Sequence, residues 1–537
     1  MPQKRRIKKA VNIKFVNKSV PSINPATGKR IGIVSGTDFS KMSEMMALAR
    51  KAQTEWAALS FKQRKKHIHK IRNYILKNPD EIAAVISESS GKTRVDAMAT
   101  EVIPAALSAE WYSKNAEKIL KSENLPASSV LFFNKRNIIE RYPLGVVGII
   151  SPWNYPFSIP FGEAIMGLMA GNAVMLKVSA STTMVGVEID KIIKNGDLPD
   201  GLFNLLVGQG DRVVDALIEN NVDKIFFTGS TETGREIMTK ASKRLIPVSL
   251  ELGGKDAMIV LPDADLERAS NGAAWAGYQN AGQSCGSVER LYVHEAVYDK
   301  MIELLSEKTK ALRFGEDRDF NVEIGSMTTR EQWEKVETQV NDAITKGAKI
   351  AAVSTAGIKT RGSFYPPILM YDVTHGMDIM KHETFGPVIP VMKFSTEDEA
   401  VGMANDSTMG LTASIWTRNI KKGKELARRI EAGVVTINDH LYTHGQPETP
   451  WGGWKKSGIG FTHAKLGLLE MTRAKLINWD IIRSRRNMWW FPYDKNVYEK
   501  LKLSLKLALP LSIADYLKGV LHVPFFLIKK MFSSWKT

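Results

Sequence analysis

Three residues can do chemistry together if the fold gathers them: Cys285, Glu251 and Asn154. Cys285 is the only cysteine in 537 residues and stands in NAGQSCGSVERLYV (280–293), between Gly282, Ser284 and Gly286. A thiol is the best side-chain nucleophile near neutral pH, even when only a small fraction is thiolate, and small neighbours leave an approach to its sulfur. Glu251 lies in SLELGGKDAMIV (249–260), an apolar run broken by Gly253 and Gly254. An acid at the end of such a run is costly unless it has a partner or a task. One task is to activate water for release of an acyl group. Asn154, in SPWNYPF (151–157), offers a side-chain amide to an oxyanion. Nucleophile, oxyanion donor and base describe thiolate addition to a carbonyl followed by hydrolysis. Each residue also has a plainer reading: an inert buried thiol, an ion-paired acid, a turn asparagine.

These residues need elements to hold them. GVVGII (145–150), NAVMLKV (172–178), LFNLLVG and KIFFTGS are short apolar runs that alternate with helical stretches such as IPFGEAIMGLMAG. That alternation predicts a parallel, doubly wound α/β sheet with its ligand at the carboxyl edge. FTGSTETG (227–234) puts Gly229 and Gly234 at a strand-to-helix turn, where backbone amides can meet a phosphate. Thr231 stands where a full G-x-G-x-x-G has its second glycine, so this turn alone is weak. SGKT (90–93) is not a P-loop, because Ile86 occupies the required first glycine. The second half, with RLYVHEAV, PVIPVMKF and GVVTIN, predicts a second α/β domain, and no Pro-, Gly- or Ser-rich linker separates the halves. SEMMALARKAQTEWAAL predicts a helix capped by Ser43, and KNPDEIAAVISESSG one that stops at Gly91. SSVLFFNKRNIIERYPLG (128–145) predicts a β-hairpin.

The formal charge is +17, which by itself suggests nucleic acid. Its distribution does not. Residues 1–18 carry seven Lys or Arg and no acid, and residues 481–537 carry eleven against three acids, which leaves +2 for the body. One cysteine excludes an intrachain disulfide. The basic N-terminus is not followed by a signal-type apolar run. The longest late apolar run, GVLHVPFFLI (519–528), is too short to span a bilayer and contains Pro524. The tail pairs RSRRNMWWFPY with KLKLSLKLAL, whose Leu period of two suits a strand while its composition suits a helix. Basic and aromatic residues around an apolar strip suit an anionic membrane surface better than nucleic acid. Packing on the protein itself is the competing reading.

SPWNYPF, LELGGK, GQSC, HETFGPVIPV (382–391) and ETPWGGWKKSGIG (448–460), after an early INPATGKRIGIV, occur in an order that resembles the aldehyde dehydrogenase superfamily from about residue 22 to 477. The 34-residue spacing from Glu251 to Cys285 matches many members. The resemblance implies a Rossmann-type NAD(P)-binding domain (22–127, 144–253) and an α/β catalytic domain (254–469). It also implies a small β oligomerisation arm (128–143, 470–482), leaving a basic segment (1–21) and a tail (483–537). It implies NAD(P)-dependent, non-CoA-acylating oxidation of an aldehyde, with Cys285 as nucleophile and Asn154 and the Cys285 N–H as oxyanion donors. Glu251 is then the hydrolytic base, and no metal takes part. Trp153, Lys177, Gly229, Ser230, Gly234, Leu252, Glu383 and Phe385 are the implied cofactor contacts. Many members carry a Glu three residues after the lysine; here Ala180 stands there, which predicts acceptance of NADP as well as NAD. A homodimer or tetramer, a cytoplasmic location with peripheral membrane contact, and a long-chain or apolar aldehyde complete the expectation. The alternative is a catalytically silent cofactor-binding scaffold or a membrane-associated interaction protein.

Overall fold

The computed structural model describes residues 19–357, 362–487 and 489–532; the basic stretch 1–18 lies outside them. Contacts divide the chain into two compact units. The larger takes the described residues up to Ile119 together with Pro143–Thr472; the smaller takes Leu120–Tyr142 and the described residues from Arg473 onward.

In the larger unit two sheets hold the core. One has six strands in the order Gly458–Ile459, Val248–Glu251, Lys224–Thr228, Val146–Ile150, Ala173–Lys177 and Phe203–Leu205. Five of these run parallel, and Gly458–Ile459 is antiparallel against Val248–Glu251. The centre is VVGII, buried at every residue, because helices cover both faces of a parallel sheet and leave no solvent side. The helix Ser158–Ala170 that follows is likewise buried at every position. The second sheet has seven strands and contains Arg290–His294, Ala257–Val260, Val388–Phe394 and Val434–Ile437. The α/β alternation read from the sequence is therefore present in both halves. The short strand from 458–459 crosses into the first sheet, which a linear reading could not anticipate.

Helix signals held unevenly. Pro79–Ser90 starts on proline and ends on Gly91, whose φ of 84° is the left-handed cap. Ser43 is not a cap: the helix runs Met42–Ala57 from a 3-10 turn (Phe39–Lys41), and Asp38 caps that turn instead.

The smaller unit has a three-stranded sheet in the order Thr472–Asp480, Lys135–Pro143, Glu123–Leu125, the last two antiparallel. The hairpin expected at 128–143 is displaced. Its first arm is Glu123–Leu125, paired with Asn137–Ile139, and Val130–Phe132 forms a 3-10 turn capped by Ser129. Of these apolar residues Leu131 packs on the cluster formed by the two tail helices, whereas Val130, Phe132 and Phe133 are exposed. KLKLSLKLAL is helical, within Lys495–Ala508. Pro524 does not interrupt the last helix, which runs Ile513–Phe532. These two helices pack through Val497, Leu507, Val523, Phe526 and Leu527. Gly519 is needed at their crossing, since a Cβ there would stand 2.7 Å from the Leu507 Cβ. The other face of the last helix is uncovered: Leu521 is 72% and Phe525 75% exposed, with Leu517, Ile528 and Phe532 on the same side. Among the described residues no helix is long and apolar enough to cross a membrane.

Candidate active site

The six-stranded sheet delivers its side chains at the carboxyl ends of its parallel strands, where such sheets bind ligands. Val146–Ile150 leads into Trp153 and Asn154, Ala173–Lys177 ends on Lys177, Lys224–Thr228 leads into Gly229 and Ser230, and Val248–Glu251 ends on Glu251. The second sheet contributes the loop before Arg290–His294, which carries Cys285, and the loop before Val388–Phe394, which carries Glu383 and Phe385. All of these, with Leu252, line one cavity of about 340 Å³. Gly234 is the exception among the residues singled out from sequence. It is buried one turn into the helix Thr231–Ser242, where a Cβ would stand 2.6 Å from Leu252. It permits helix–strand packing rather than contact with a ligand.

The Cys285 loop is held by unusual backbone. Asn280, Ala281 and Gly282 take φ of 53°, 54° and 69° in succession. Only glycine adopts such angles at no cost, and a Cβ on Gly282 would stand 2.1 Å from the Gly386 carbonyl oxygen. That glycine therefore serves close approach to the Glu383–Phe385 loop, not access to sulfur. The Asn154 loop is clamped from below. Lys92 Nζ donates to the Asn154 carbonyl at 2.8 Å, and Asn280 Nδ2 donates to it at 3.0 Å. Lys92 is ion-paired with buried Glu101, which in turn accepts the Phe157 N–H at 2.7 Å. Lys92 belongs to SGKT, the string set aside as a failed P-loop, so its role was invisible without the fold.

Electrostatics set the protonation states. Burial pushes the Cys285 thiol strongly up, and the negative charges of Asp256, Glu383 and Glu251 add to it; the resting residue is a thiol. Its N–H makes no hydrogen bond to another described residue and remains available to an oxyanion. Burial likewise holds Glu251 well above the usual carboxylate range, with Glu163 adding to the shift. Neither Glu251 oxygen has a hydrogen-bond partner, since the nearby Thr462 N–H is committed to the Trp451 carbonyl at 2.8 Å. Glu383 is raised to about 7 by burial, and accepts the Gly254 N–H at 3.1 Å.

The groove fits a dinucleotide. Ser230 caps the helix Thr231–Ser242, which presents free N–H groups and the positive end of its dipole to a phosphate. Phe385, itself at φ 54°, packs edge-on against Trp153 with ring centroids 5.5 Å apart. Glu289 fixes that turn by accepting the Phe385 and Thr384 N–H groups at 2.8 and 2.9 Å, and Lys255 of LGGK pairs with Glu289 at 2.5 Å. Past Lys177 the groove continues into a cavity of about 80 Å³ lined also by Asp211, Glu236 and Lys240. Lys240 is paired with Asp215 at 2.8 Å. Ala180 supplies no acid here, and the carboxylates at this end come from Asp211 and Glu236 instead. Asp211 carried no motif that would have marked it.

Comparison with known proteins points one way. The sequence profile of the aldehyde dehydrogenase family matches residues 13–477. A 4,4′-diapolycopene aldehyde oxidase of Methylomonas is 38% identical over 486 residues, covering 90% of each chain. A putative succinate-semialdehyde dehydrogenase (NADP+) of Mycolicibacterium smegmatis is 33% identical, covering 84% of this chain and 87% of its own. Among solved structures, an aldehyde dehydrogenase from Brucella melitensis superposes with a TM-score of 0.82 at 33% identity, covering 87% of this chain and 94% of that one. An NAD+ complex of the Bacillus cereus enzyme gives 0.82 at 31% identity, with the same coverage.

Proposed function

Because this chain belongs to the aldehyde dehydrogenase family, and oxidises an aldehyde to the acid with NAD or NADP as acceptor, we propose that Cys285, Asn154 and Glu251 carry the reaction. The carrying observation is their convergence with the implied cofactor contacts in one cavity. The cofactor, when bound, supplies the hydride acceptor. The thiol loses its proton to solvent as sulfur bonds the aldehyde carbon. Asn154 and the Cys285 N–H donate to the oxygen that becomes negative. After oxidation the acyl group is a thioester on Cys285. Glu251 then takes a proton from water as the water oxygen bonds the acyl carbon. The C–S electron pair returns to sulfur, and Glu251 can give that proton to the thiolate. A silent scaffold has no need of these three groups.

Asp211 governs the choice of cofactor in this reading. A carboxylate beside Lys177 accepts from the 2′-hydroxyl of NAD and repels the 2′-phosphate of NADP. Asp211→Ser is expected to raise kcat/KM for NADP relative to NAD about tenfold, the effect of about 1.4 kcal/mol. An unchanged ratio would remove Asp211 from that role.

The substrate we infer is a long-chain or apolar aldehyde met at an anionic membrane surface. No arginine lines either cavity around Cys285, and His444 and His463, lowered to about 4 and 3 by burial, are neutral. A carboxylated aldehyde thus lacks an obvious cation beyond Lys177 and Lys335. Likeness to a protein named a 4,4′-diapolycopene aldehyde oxidase supports the same choice. The exposed apolar face of Ile513–Phe532, with Lys518 and Lys529 exposed on the same helix, suits insertion at headgroup depth. The wild-type protein is expected to sediment with anionic but not neutral vesicles, and Leu521→Glu/Phe525→Glu to stay in the supernatant. Equal recovery of both proteins in the supernatant would exclude the membrane reading. We further infer a homodimer or tetramer, with the outer strand Thr472–Asp480, whose Leu476 and Trp479 are exposed, offering an unpaired edge.

A further inference from the structure

Cys285 and Gly286 are the central residues of a turn. The Ser287 N–H donates to the Ser284 carbonyl at 3.1 Å, and the Ser287 hydroxyl donates to the Ala276 carbonyl at 2.9 Å. In a trans peptide the N–H points opposite to the C=O. With the Ser284 carbonyl turned in toward Ser287, the Cys285 N–H is turned out. Whatever holds this turn therefore sets the direction of the N–H offered to an oxyanion. Gln283 holds its leading end, donating to the Asn280 carbonyl at 3.0 Å and accepting the Thr328 N–H at 2.9 Å. Gly286 has no side chain to anchor the far end. Its carbonyl is met instead by His440 Nε2 at 2.9 Å, from 154 residues away in sequence.

His440 is 1% exposed and follows the strand Val434–Ile437. Its Nδ1 lies 2.7 Å from the Ser414 hydroxyl, on the neighbouring strand Thr412–Trp416. Burial lowers His440 to about 4, so the ring is neutral and its two nitrogens play different parts. A carbonyl only accepts, so Nε2 carries the proton and Nδ1 accepts from Ser414. The Ser414 oxygen accepts the Trp416 indole N–H in turn, at 3.0 Å. Donation thus runs in one direction, from indole to hydroxyl to imidazole to the Gly286 carbonyl, and bonds in such a chain strengthen one another. The backbone is bent to place the ring. Leu441 takes φ 69° and ψ −35°, and the Tyr442 N–H closes on the His440 carbonyl at 2.8 Å, a γ-turn of the strained hand. Asn438 stands at φ 56°. Strain of this kind persists only where the surroundings demand it. His440 lines neither cavity around Cys285, so it acts through the turn and not on a substrate. We propose that His440 is a positioning residue for Cys285: its Nε2–H holds the Gly286 carbonyl and so fixes the turn that aims the Cys285 N–H at the oxyanion. The inference rests on Cys285 being the nucleophile.

The test is the single-turnover burst of NAD(P)H in the full-length enzyme, with saturating cofactor and decanal as the probe aldehyde. His440→Gln carries an amide N–H to the place of Nε2. His440→Asn reaches only the place of Nδ1, so it can meet Ser414 but not Gly286. His440→Leu does neither. Loss of a whole oxyanion donor costs about 100- to 1000-fold, and a misdirected one less. The limiting burst rate is therefore expected to fall at least about tenfold in His440→Asn and His440→Leu and to be restored to within about threefold of wild type in His440→Gln. The aldehyde concentration for half the limiting rate, and cofactor binding by fluorescence quenching, should hold within about twofold in all three, because the donor acts on the transition state. Ser414→Ala deletes one hydroxyl and frees the ring, and is expected to slow the burst at least about threefold. It decides alone should the His440 variants not fold. A burst as fast in His440→Asn as in His440→Gln, a His440→Gln as slow as His440→Leu, a parallel loss of cofactor binding, or a wild-type rate in Ser414→Ala overturns the proposal. A burst that survives in Cys285→Ala would instead overturn the nucleophile assignment beneath it.

Discussion

Cys285→Ala will bind the cofactor and yield no NAD(P)H, neither as a burst nor in turnover. The fall expected is at least about 10,000-fold, in line with removal of a nucleophile elsewhere. No second thiol can stand in, since Cys285 is the only cysteine. The same fact makes chemical modification decisive: one equivalent of a thiol reagent should abolish activity in proportion to labelling. Because burial and three nearby carboxyls hold the thiol protonated, labelling of the free enzyme should be slow at neutral pH and speed up with alkalinity. The check is stopped-flow absorbance beside cofactor binding by fluorescence quenching. A surviving burst in Cys285→Ala would assign the covalent step to another residue.

The chemistry was legible in the sequence to the extent that it was local. A lone cysteine among small residues, an acid closing an apolar run and an amide between aromatics each suggested a task, and the ordered motifs resembled one family. The strands VVGII and KIFFT were legible because burial on both faces leaves a continuous apolar run. What escaped was carried by contacts distant in sequence. Lys92 holds the Asn154 loop from 62 residues away, and nothing in SGKT announces that. Asp211 enters the groove only because the helix starting at Gly210 sits beside Lys177. The glycines around Cys285 suggested access to sulfur, whereas Gly282 answers to the Gly386 carbonyl. The tail's signals conflicted: Leu at alternate positions in KLKLSLKLAL suits a strand, while its composition suits a helix. Helix propensity and packing on Val523, Phe526 and Leu527 decide for a helix.

Glu251→Gln will separate the two half-reactions. One equivalent of NAD(P)H per site should still appear as a burst, since hydride leaves before water attacks, while steady-state turnover falls about 100- to 10,000-fold, the range for loss of a general base. The acyl group should then accumulate on Cys285 and be visible as added mass after quenching. The pH profile carries the sign. Glu251 accepts a proton only when ionised, and its folded-state pKa is raised by burial and by Glu163. Wild-type deacylation should therefore be slow in acid, where the carboxyl is neutral, and rise as pH climbs through that raised value. In Glu251→Gln the titrating group is gone, so the residual rate should lose this rise and follow only hydroxide. A burst that vanished together with turnover would place Glu251 in the acylation step instead, as the group that must first take the proton from the Cys285 thiol.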